Sequence, residues 1–288
     1  FVPTPEKYRV VSDTHYRVAC AILILTPIIH LFSTVVFVGR AYTRMVPTFR
    51  FGLDDYLICI AWWAFQYDAV SWAAGFHRLY FKTRDHSERT FRDGVLALPF
   101  WAWATGLVKI SIAWMLLRFQ RTQGWRYFVY GMIILNIFFI CFLGIANIFN
   151  CVPYQSQWDF AGRYSVAKGN KKCWPVSAQQ STIYATVTVN VLSDVVLSLV
   201  PLTFLRKVQR PLREKIVIGC LLSLGIFASI FSILRLITQV APTYLVEPGA
   251  NGVFSGLMTC LETEASFIAA CVPALRSSAN RWIQKIGL

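Results

Sequence analysis

The chain has few charged residues, and acidic residues are fewer than basic ones. Asp, Glu, Lys and Arg together make up 15% of its 288 residues, and only 14 residues are acids. Soluble globular domains carry about 25% charged residues. A disordered chain is excluded, because it would be poor in hydrophobic residues. A soluble nucleic-acid-binding domain is excluded as well, since it would need a water-exposed basic face, and we expect no nucleic-acid partner.

Long apolar runs occupy most of the chain. Hydrophobic residues make up 56% of it, and the mean hydropathy is +0.51. A membrane-spanning helix needs about 20 predominantly apolar residues, and seven stretches meet this need. They are 18–38, 54–75, 95–118, 127–149, 180–205, 216–240 and 252–274. A membrane β-barrel would show strands of about 10 residues in which apolar and polar residues alternate, and the runs show no such alternation. We therefore predict an all-α integral membrane bundle of seven transmembrane helices, forming one domain over 1–288 in contact with membrane lipid.

The distribution of basic residues predicts the orientation. With seven spans, the loops on the C-terminal side hold 14 Lys and Arg residues, against 12 on the N-terminal side, and they are shorter. Positive charge collects on the cytosolic side of membrane proteins. We therefore predict an N-terminus that is outside or lumenal and a cytosolic C-terminus, in the plasma membrane or an endomembrane.

Two of the eight cysteines fall in a loop rather than in a span. Cys151 and Cys173 lie in the segment 150–179, which the predicted orientation places in an oxidising compartment. A bridge would close a loop of about 22 residues and stabilise it by about 3 kcal/mol. We favour a disulfide, and two unrelated free thiols are the alternative.

Seven acidic or basic residues lie well inside the apolar runs, away from their ends. They are His30, Asp68, Lys109, Asp194, Arg235, Glu262 and Glu264. A charged side chain at the bilayer centre costs at least about 2.5–3.5 kcal/mol on insertion scales, so such groups face the bundle interior, pair or become neutral. Two fixed cations stand against four acids. The excess negative charge is removed either by neutral carboxyls or by a protonated His30.

Glu262 and Glu264 are two residues apart, which places them about 200° apart around a helix. We expect one glutamate to brace a neighbouring helix and the other to point elsewhere. The whole set of buried charges is open to two interpretations. It is either interhelical ion pairing that fixes the bundle, or the lining of a ligand-binding or catalytic pocket.

Several short motifs occur in a characteristic order along the chain. They are Gly52-Leu-Asp54-Asp55-Tyr56, Gly75-Phe-His77, Lys109-Ile-Ser111, Cys151-Val-Pro153, Asn190 with Asp194, and Cys271-Val-Pro273-Ala-Leu-Arg276. In this order and spacing, from about residue 20 to 280, the chain resembles the fungal rhodopsin-domain family of receptor-like seven-span membrane proteins. It departs from the family pattern at Met258, where a Trp is usual, and at Glu264, where a neutral residue is usual. Light sensing is not expected, because the last span has no lysine to carry a retinal Schiff base.

The resemblance implies a receptor-like protein that binds a small lipophilic ligand beneath the bridged loop. The candidate ligand-binding residues are Asp68, Lys109, Asn190, Asp194, Arg235 and Glu262. Asp68 is included as a titratable residue within a span, because it is not part of the family pattern. The basic segments 118–126 and 206–215 would face a cytosolic partner.

The alternative is a membrane-embedded enzyme or accessory protein of fungal secondary metabolism, because similar proteins occur in toxin clusters. Glu264, Glu262 or Asp194 would act as the catalytic acid in the cyclisation of a lipophilic polyketide or terpenoid. Lys109 or Arg235 would stabilise the developing negative charge. The spacing of His and Cys indicates no metal site, and no motif indicates a cofactor. A transporter is disfavoured, because no inverted repeat is visible.

Overall fold

The computed structural model describes most of the chain, with gaps at its ends and in its loops. The described backbone covers residues 13–46, 49, 51–80, 84–117, 122–158, 172–205, 212–240 and 248–285. Side chains are described for 24–46, 49, 51–67, 69–70, 92–117, 122–158, 172–199, 219, 222–237, 255–273 and 275.

Seven α-helices make up nearly all of the described backbone. They are α1 (Asp13–Met45), α2 (Leu53–Tyr80), α3 (Arg84–Leu116), α4 (Gln123–Phe149), α5 (Val176–Leu205), α6 (Leu212–Val240) and α7 (Pro248–Lys285). Six of them begin a few residues before the predicted spans, and α3 begins well before its span. The spans mark only the apolar part of each helix, because the backbone hydrogen bonds of a helix continue into polar surroundings. The all-α prediction is confirmed.

Four of the described segments are long and apolar enough to cross a membrane. They are Ile24–Met45, Arg92–Leu116, Gln123–Phe149 and Val176–Leu199, and Leu222–Ile237 is a shorter apolar segment. Large hydrophobic side chains on the outside of α1, α2 and α4 are exposed, among them Phe32, Trp63 and Phe138. A surface of this kind is stable against lipid and costly in water.

Helices α3 and α7 lie at the centre of the bundle. Helix α3 contacts α2, α4, α5 and α7, and α7 contacts α1, α2, α3 and α6. The interfaces of α3 are lined by small side chains, such as Ala102, Ala104 and Ala113, which are fully buried. Small residues allow helices in a membrane to approach closely. The close approach brings polar side chains of neighbouring helices within hydrogen-bond distance.

The loop between α4 and α5 carries the predicted disulfide. Cys151 and Cys173 are bonded, and they pair across two short antiparallel strands, β1 (Cys151–Val152) and β2 (Lys172–Cys173). A 3-10 helix, Tyr154–Gln157, follows β1. Burial raises the pKa of the Tyr154 phenol, and nearby Tyr67 of α2 adds to the shift. The first part of this loop therefore packs over the bundle.

Helices α5 and α6 approach closely at Gly225, which gives a first test of the packing. A Cβ atom at Gly225 would overlap the Ser198 side chain of α5, whereas a Cβ at Gly219, on the same helix, would meet nothing within 4 Å. Overpacking costs about 1–3 kcal/mol, so we expect Gly225→Ala to lower the melting temperature of the purified protein. Gly219→Ala should leave it unchanged or raise it, because alanine is the better helix former. Equal effects of the two substitutions would contradict this packing.

Candidate functional site

Five of the predicted ligand-binding residues meet in the middle of the bundle. Lys109 comes from α3, Asn190 and Asp194 from α5, Arg235 from α6 and Glu262 from α7, and all five are buried. Together they form what we call the central polar network. Each residue lies on a different helix or one turn from its neighbour, so the network ties four helices together.

All N–H donors of the Lys109 ammonium group have acceptors on α5. Its Nζ donates to the Asn190 backbone oxygen at 3.0 Å and to Asn190 Oδ1 at 2.6 Å. It also lies 2.8 Å from Ser193 Oγ and 3.0 Å from Asp194 Oδ1. An ammonium has three N–H donors, and here four acceptors surround them. Lys109 therefore joins α3 to α5 and has no donor left for a ligand.

The other side of the network joins α5 to α6 and α7. Asn190 Nδ2 donates to Ser232 Oγ at 3.1 Å and to Glu262 Oε1. Arg235 Nη1 lies 3.8 Å from Glu262 Oε2, and its guanidinium stacks over the Trp101 ring at 4.2 Å. A cation over an aromatic face gains stabilisation in dry surroundings. Trp101 is a partner of Arg235 that the sequence did not indicate.

Charge is balanced within the network, but hydrogen bonding is incomplete. The two cations, Lys109 and Arg235, stand beside two carboxylates, Asp194 and Glu262. Asp194 Oδ2 and Glu262 Oε2 are both buried and accept no hydrogen bond from the described residues. A buried acceptor without a donor costs about 1–3 kcal/mol. These two oxygens are where a molecule bearing hydrogen-bond donors would be stabilised.

Glu264 lies outside the central polar network. Its Oε1 is 2.9 Å from His30 Nδ1 of α1, and His30 Nε2 is 3.1 Å from Gln66 Oε1 of α2. The two glutamates diverge as expected, but both contact neighbouring helices, Glu262 on α5 and α6 and Glu264 on α1, whereas one of them was expected to point elsewhere. An enzyme site that combined Glu264 with Lys109 and Asp194 is not assembled by this geometry.

His30 changes the charge balance expected from the sequence. His30 pairs with Glu264, while Lys109 and Arg235 pair with Asp194 and Glu262. Of the predicted buried titratable residues whose side chains are described, three carboxylates therefore face three basic groups, and a proton on His30 removes the excess of negative charge. The side chain of Asp68, the remaining predicted ligand-binding residue, lies outside the described residues.

A second buried cluster, which the sequence analysis missed, joins α1, α2 and α7. Arg40 contacts Asp55 Oδ1 at 2.7 Å and Asp54 Oδ2 at 3.0 Å, and it donates to the Ala270 backbone oxygen at 2.6 Å. Arg44 Nη2 lies 3.5 Å from Asp54 Oδ2. The apolar run of the first span ends at residue 38, so hydropathy alone places Arg40 outside the span. The sequence did contain a signal for this cluster. Arg40 and Arg44 lie one helical turn apart, and the adjacent Asp54 and Asp55 begin the next apolar run.

A cavity lies apart from the charged residues. It has a volume of about 140 Å³ between α5 and α6, and its lining includes Ser198, Leu199, Ser229 and Ile230. Leu199 and Ile230 are exposed on the outside of the bundle, so this cavity is a groove on the apolar surface. None of the charged residues of the central polar network lines it. A ligand at the network would have to displace packed side chains or occupy a smaller space.

The pairing of Lys109 with Asp194 can be tested by removing one partner and then both. Lys109→Met leaves the Asp194 carboxylate buried without its cation, which typically costs about 3–5 kcal/mol. We expect a large fall in melting temperature, and much of the loss should be recovered in Lys109→Met with Asp194→Leu. Lys172→Met, at an exposed lysine, is the control. A Lys109→Met variant as stable as this control would contradict the pairing.

Comparison with known proteins bears on what such a bundle does. The sequence model of the fungal rhodopsin domain matches residues 39–281. A protein of Emericella nidulans described as a SAT4 family membrane protein is 27% identical over 172 residues, which is 59% of this chain. The match covers 41% of that relative, so the chain corresponds to less than half of it. No solved structure matches the chain significantly.

Proposed function

The chain belongs to the fungal rhodopsin domain family, and from this we propose that it is a seven-span, receptor-like protein that binds a small ligand at the central polar network. The membrane location follows from the family and from several helices able to cross a bilayer. The ligand-binding role is our inference. It rests on one observation, the two buried carboxylate oxygens that accept no hydrogen bond.

The chemistry of the network limits the class of ligand. The donors of Lys109 already have acceptors, whereas Asp194 Oδ2 and Glu262 Oε2 lack donors. A hydroxyl or an amine on the ligand would supply what these oxygens lack. The rest of the ligand must be apolar, because it would lie among helices in the low-dielectric core of a membrane. Trp101 Nε1, on the ring that stacks on Arg235, is a buried donor without an acceptor among the described residues. We therefore propose a lipophilic alcohol or amine, because either group can both donate and accept a hydrogen bond.

The ligand assignment can be tested by thermal stability with a panel of lipophilic alcohols and amines. A ligand at about 100 times its dissociation constant stabilises the folded state by about 2.7 kcal/mol, which corresponds to a rise in melting temperature of roughly 5–10 °C. We expect such a rise for the unaltered protein, and a smaller rise for Asp194→Asn and Glu262→Gln. Asp93→Asn, at the surface pair with Arg92, should respond like the unaltered protein.

Two results would count against this assignment. One is the absence of a shift with any member of the panel. The other is an equal shift in the unaltered protein and in the Asp194→Asn and Glu262→Gln variants, because the ligand would then bind elsewhere.

The enzyme alternative now depends mainly on Glu264. Asp194 and Glu262 each stand beside a cation, and a carboxylate paired with a cation is a poor proton donor. Glu264 pairs instead with His30, and a histidine, unlike a lysine or an arginine, gives up its proton near neutral pH. The proton shared by this pair is therefore the one available to an acid-triggered cyclase of fungal secondary metabolism. A panel compound that is consumed by the unaltered protein but not by Glu264→Gln would favour this alternative.

The proposal includes seven membrane crossings, with the N-terminus outside or lumenal and the C-terminus cytosolic. The same orientation would turn the basic segments 118–126 and 206–215 toward a cytosolic partner. Support comes from the seven helices and from the disulfide, since disulfides persist in oxidising compartments.

This topology can be tested with glycosylation acceptors. An Asn-x-Thr site inserted between 159 and 171 should be glycosylated when the protein is expressed in yeast, because this loop would be lumenal. The same insertion between 206 and 211 should remain unmodified. The reverse pattern, or modification of both sites, would contradict the proposed topology.

A further inference from the structure

His30 lies in the middle of α1. Its side chain makes polar contacts with α7 and α2. Its ring stacks on Trp62 of α2, with centroids 5.2 Å apart and planes 8° apart. Nδ1 faces Glu264 Oε1 at 2.9 Å, and Nε2 faces Gln66 Oε1 at 3.1 Å. The His30 side chain is 24% exposed and that of Glu264 is 3% exposed. We call these four residues the His30 site.

The arrangement of oxygen atoms around His30 favours the protonated form of the ring. A neutral imidazole has one N–H donor, whereas an imidazolium has two. Both ring nitrogens of His30 face oxygen atoms, so an imidazolium donates both hydrogen bonds, whereas a neutral ring donates one. The positive charge of the imidazolium then balances the Glu264 carboxylate, and its stacking on Trp62 is a cation–π contact.

The position of α1 gives this proton a structural role. Helix α1 packs mainly along α7, and most of its membrane-facing side chains are exposed. Beside His30, the rings of Phe37, Trp62 and Phe267 form an apolar contact between α1, α2 and α7. At this depth the His30 site supplies the charged attraction that complements the apolar contact.

We propose that His30 and Glu264 form a proton-binding site that seats α1 on the bundle. When the proton is released to solvent, His30 loses one donor, and Glu264 becomes a buried anion without its cation. The contact between α1 and α7 then weakens, so the stabilisation is present at acidic pH and is lost as the pH rises.

Among the described side chains, Glu264 is the charged residue that faces His30. Helix α7 contributes Glu264, while Glu262 faces the central polar network on another side of the helix. Helix α2 contributes Gln66 and Trp62, which are uncharged, and the Asp68 side chain lies outside the described residues. The Arg40 cluster lies more than two helical turns further along α1 and has its own aspartates.

The experiment uses a variant in which His30 is the one remaining histidine. The chain has four histidines, so changing His15, His77 and His86 to Gln leaves His30 alone to report. The full-length protein is placed in lipid nanodiscs and followed from about pH 5 to about pH 9, which brackets the usual histidine pKa of about 6.5. Two quantities are measured, the melting temperature and the ¹⁵N spectrum of the labelled histidine.

We expect the ring to carry protons on both nitrogens at acidic pH and to lose one as the pH rises. The melting temperature should fall by about 5 °C over the same pH range. Adding His30→Gln should remove this fall, because glutamine keeps a hydrogen-bonding group but does not titrate. Glu264→Gln should remove it too, because the neutral amide no longer needs the cation.

Three results would overturn the proposal. The ring stays in a single protonation state over the whole pH range, or it titrates while the melting temperature does not follow, or the fall in melting temperature persists without His30. If His30→Gln does not fold, the single-histidine protein still decides, because its spectrum and its melting temperature are measured on the same sample.

Discussion

A charge buried among membrane helices must meet an opposite charge, and this requirement organises the bundle. Lys109, Arg235 and His30 each stand beside a carboxylate from another helix, and Arg40 stands between two aspartates. An unpaired charge at this depth would cost several kcal/mol, which is a large part of the stability of an ordinary domain. The pairs therefore determine which helices are neighbours and how each helix is rotated.

Helix α7 connects the two polar sites. Glu262 and Glu264 are separated by one residue, yet one contacts α5 and α6 while the other contacts α1. A rotation of α7 that improved one contact would disturb the other. In the receptor-like account, a ligand at the central polar network would therefore act on the same helix that holds α1, which is a physical route between the membrane-facing helix and the interior.

The central polar network is both a structural element and the proposed ligand site. Most of its hydrogen bonds are internal, and the ammonium of Lys109 is saturated by acceptors. Such a network holds helices in place whether or not a ligand is bound. The two unpartnered oxygens of Asp194 and Glu262 are the atoms of this network that a bound ligand would satisfy, because buried acceptors are normally satisfied.

Hydropathy and helical periodicity predicted part of this structure. The apolar runs located the helices, the loop cysteines predicted the bridge between Cys151 and Cys173, and the two-residue spacing predicted that Glu262 and Glu264 would diverge. Periodicity does not say which helices are neighbours, so the pairing of His30 with Glu264 was not predicted. Nor did the sequence reveal Trp101 as the partner of Arg235, because aromatic residues are abundant in every apolar run.

The partner of Arg40 was missed for a different reason. Hydropathy ended the first span at residue 38, whereas the helix continues to Met45 because the buried aspartates of α2 compensate its arginines. A charged residue at the end of an apolar run was read as a boundary, and here it is part of the interior.

Infrared spectroscopy of the protein in lipid nanodiscs at neutral pH tests the central claim most directly. The C=O stretch of a protonated carboxyl is separated from that of a carboxylate, so the spectrum reports whether buried acids are charged. If Asp194, Glu262 and Glu264 are all paired with cations, the protonated-carboxyl region should be unchanged by Asp194→Asn, Glu262→Gln and Glu264→Gln. A protonated-carboxyl band that disappears in any of these variants would show a neutral acid in the interior and would contradict the account.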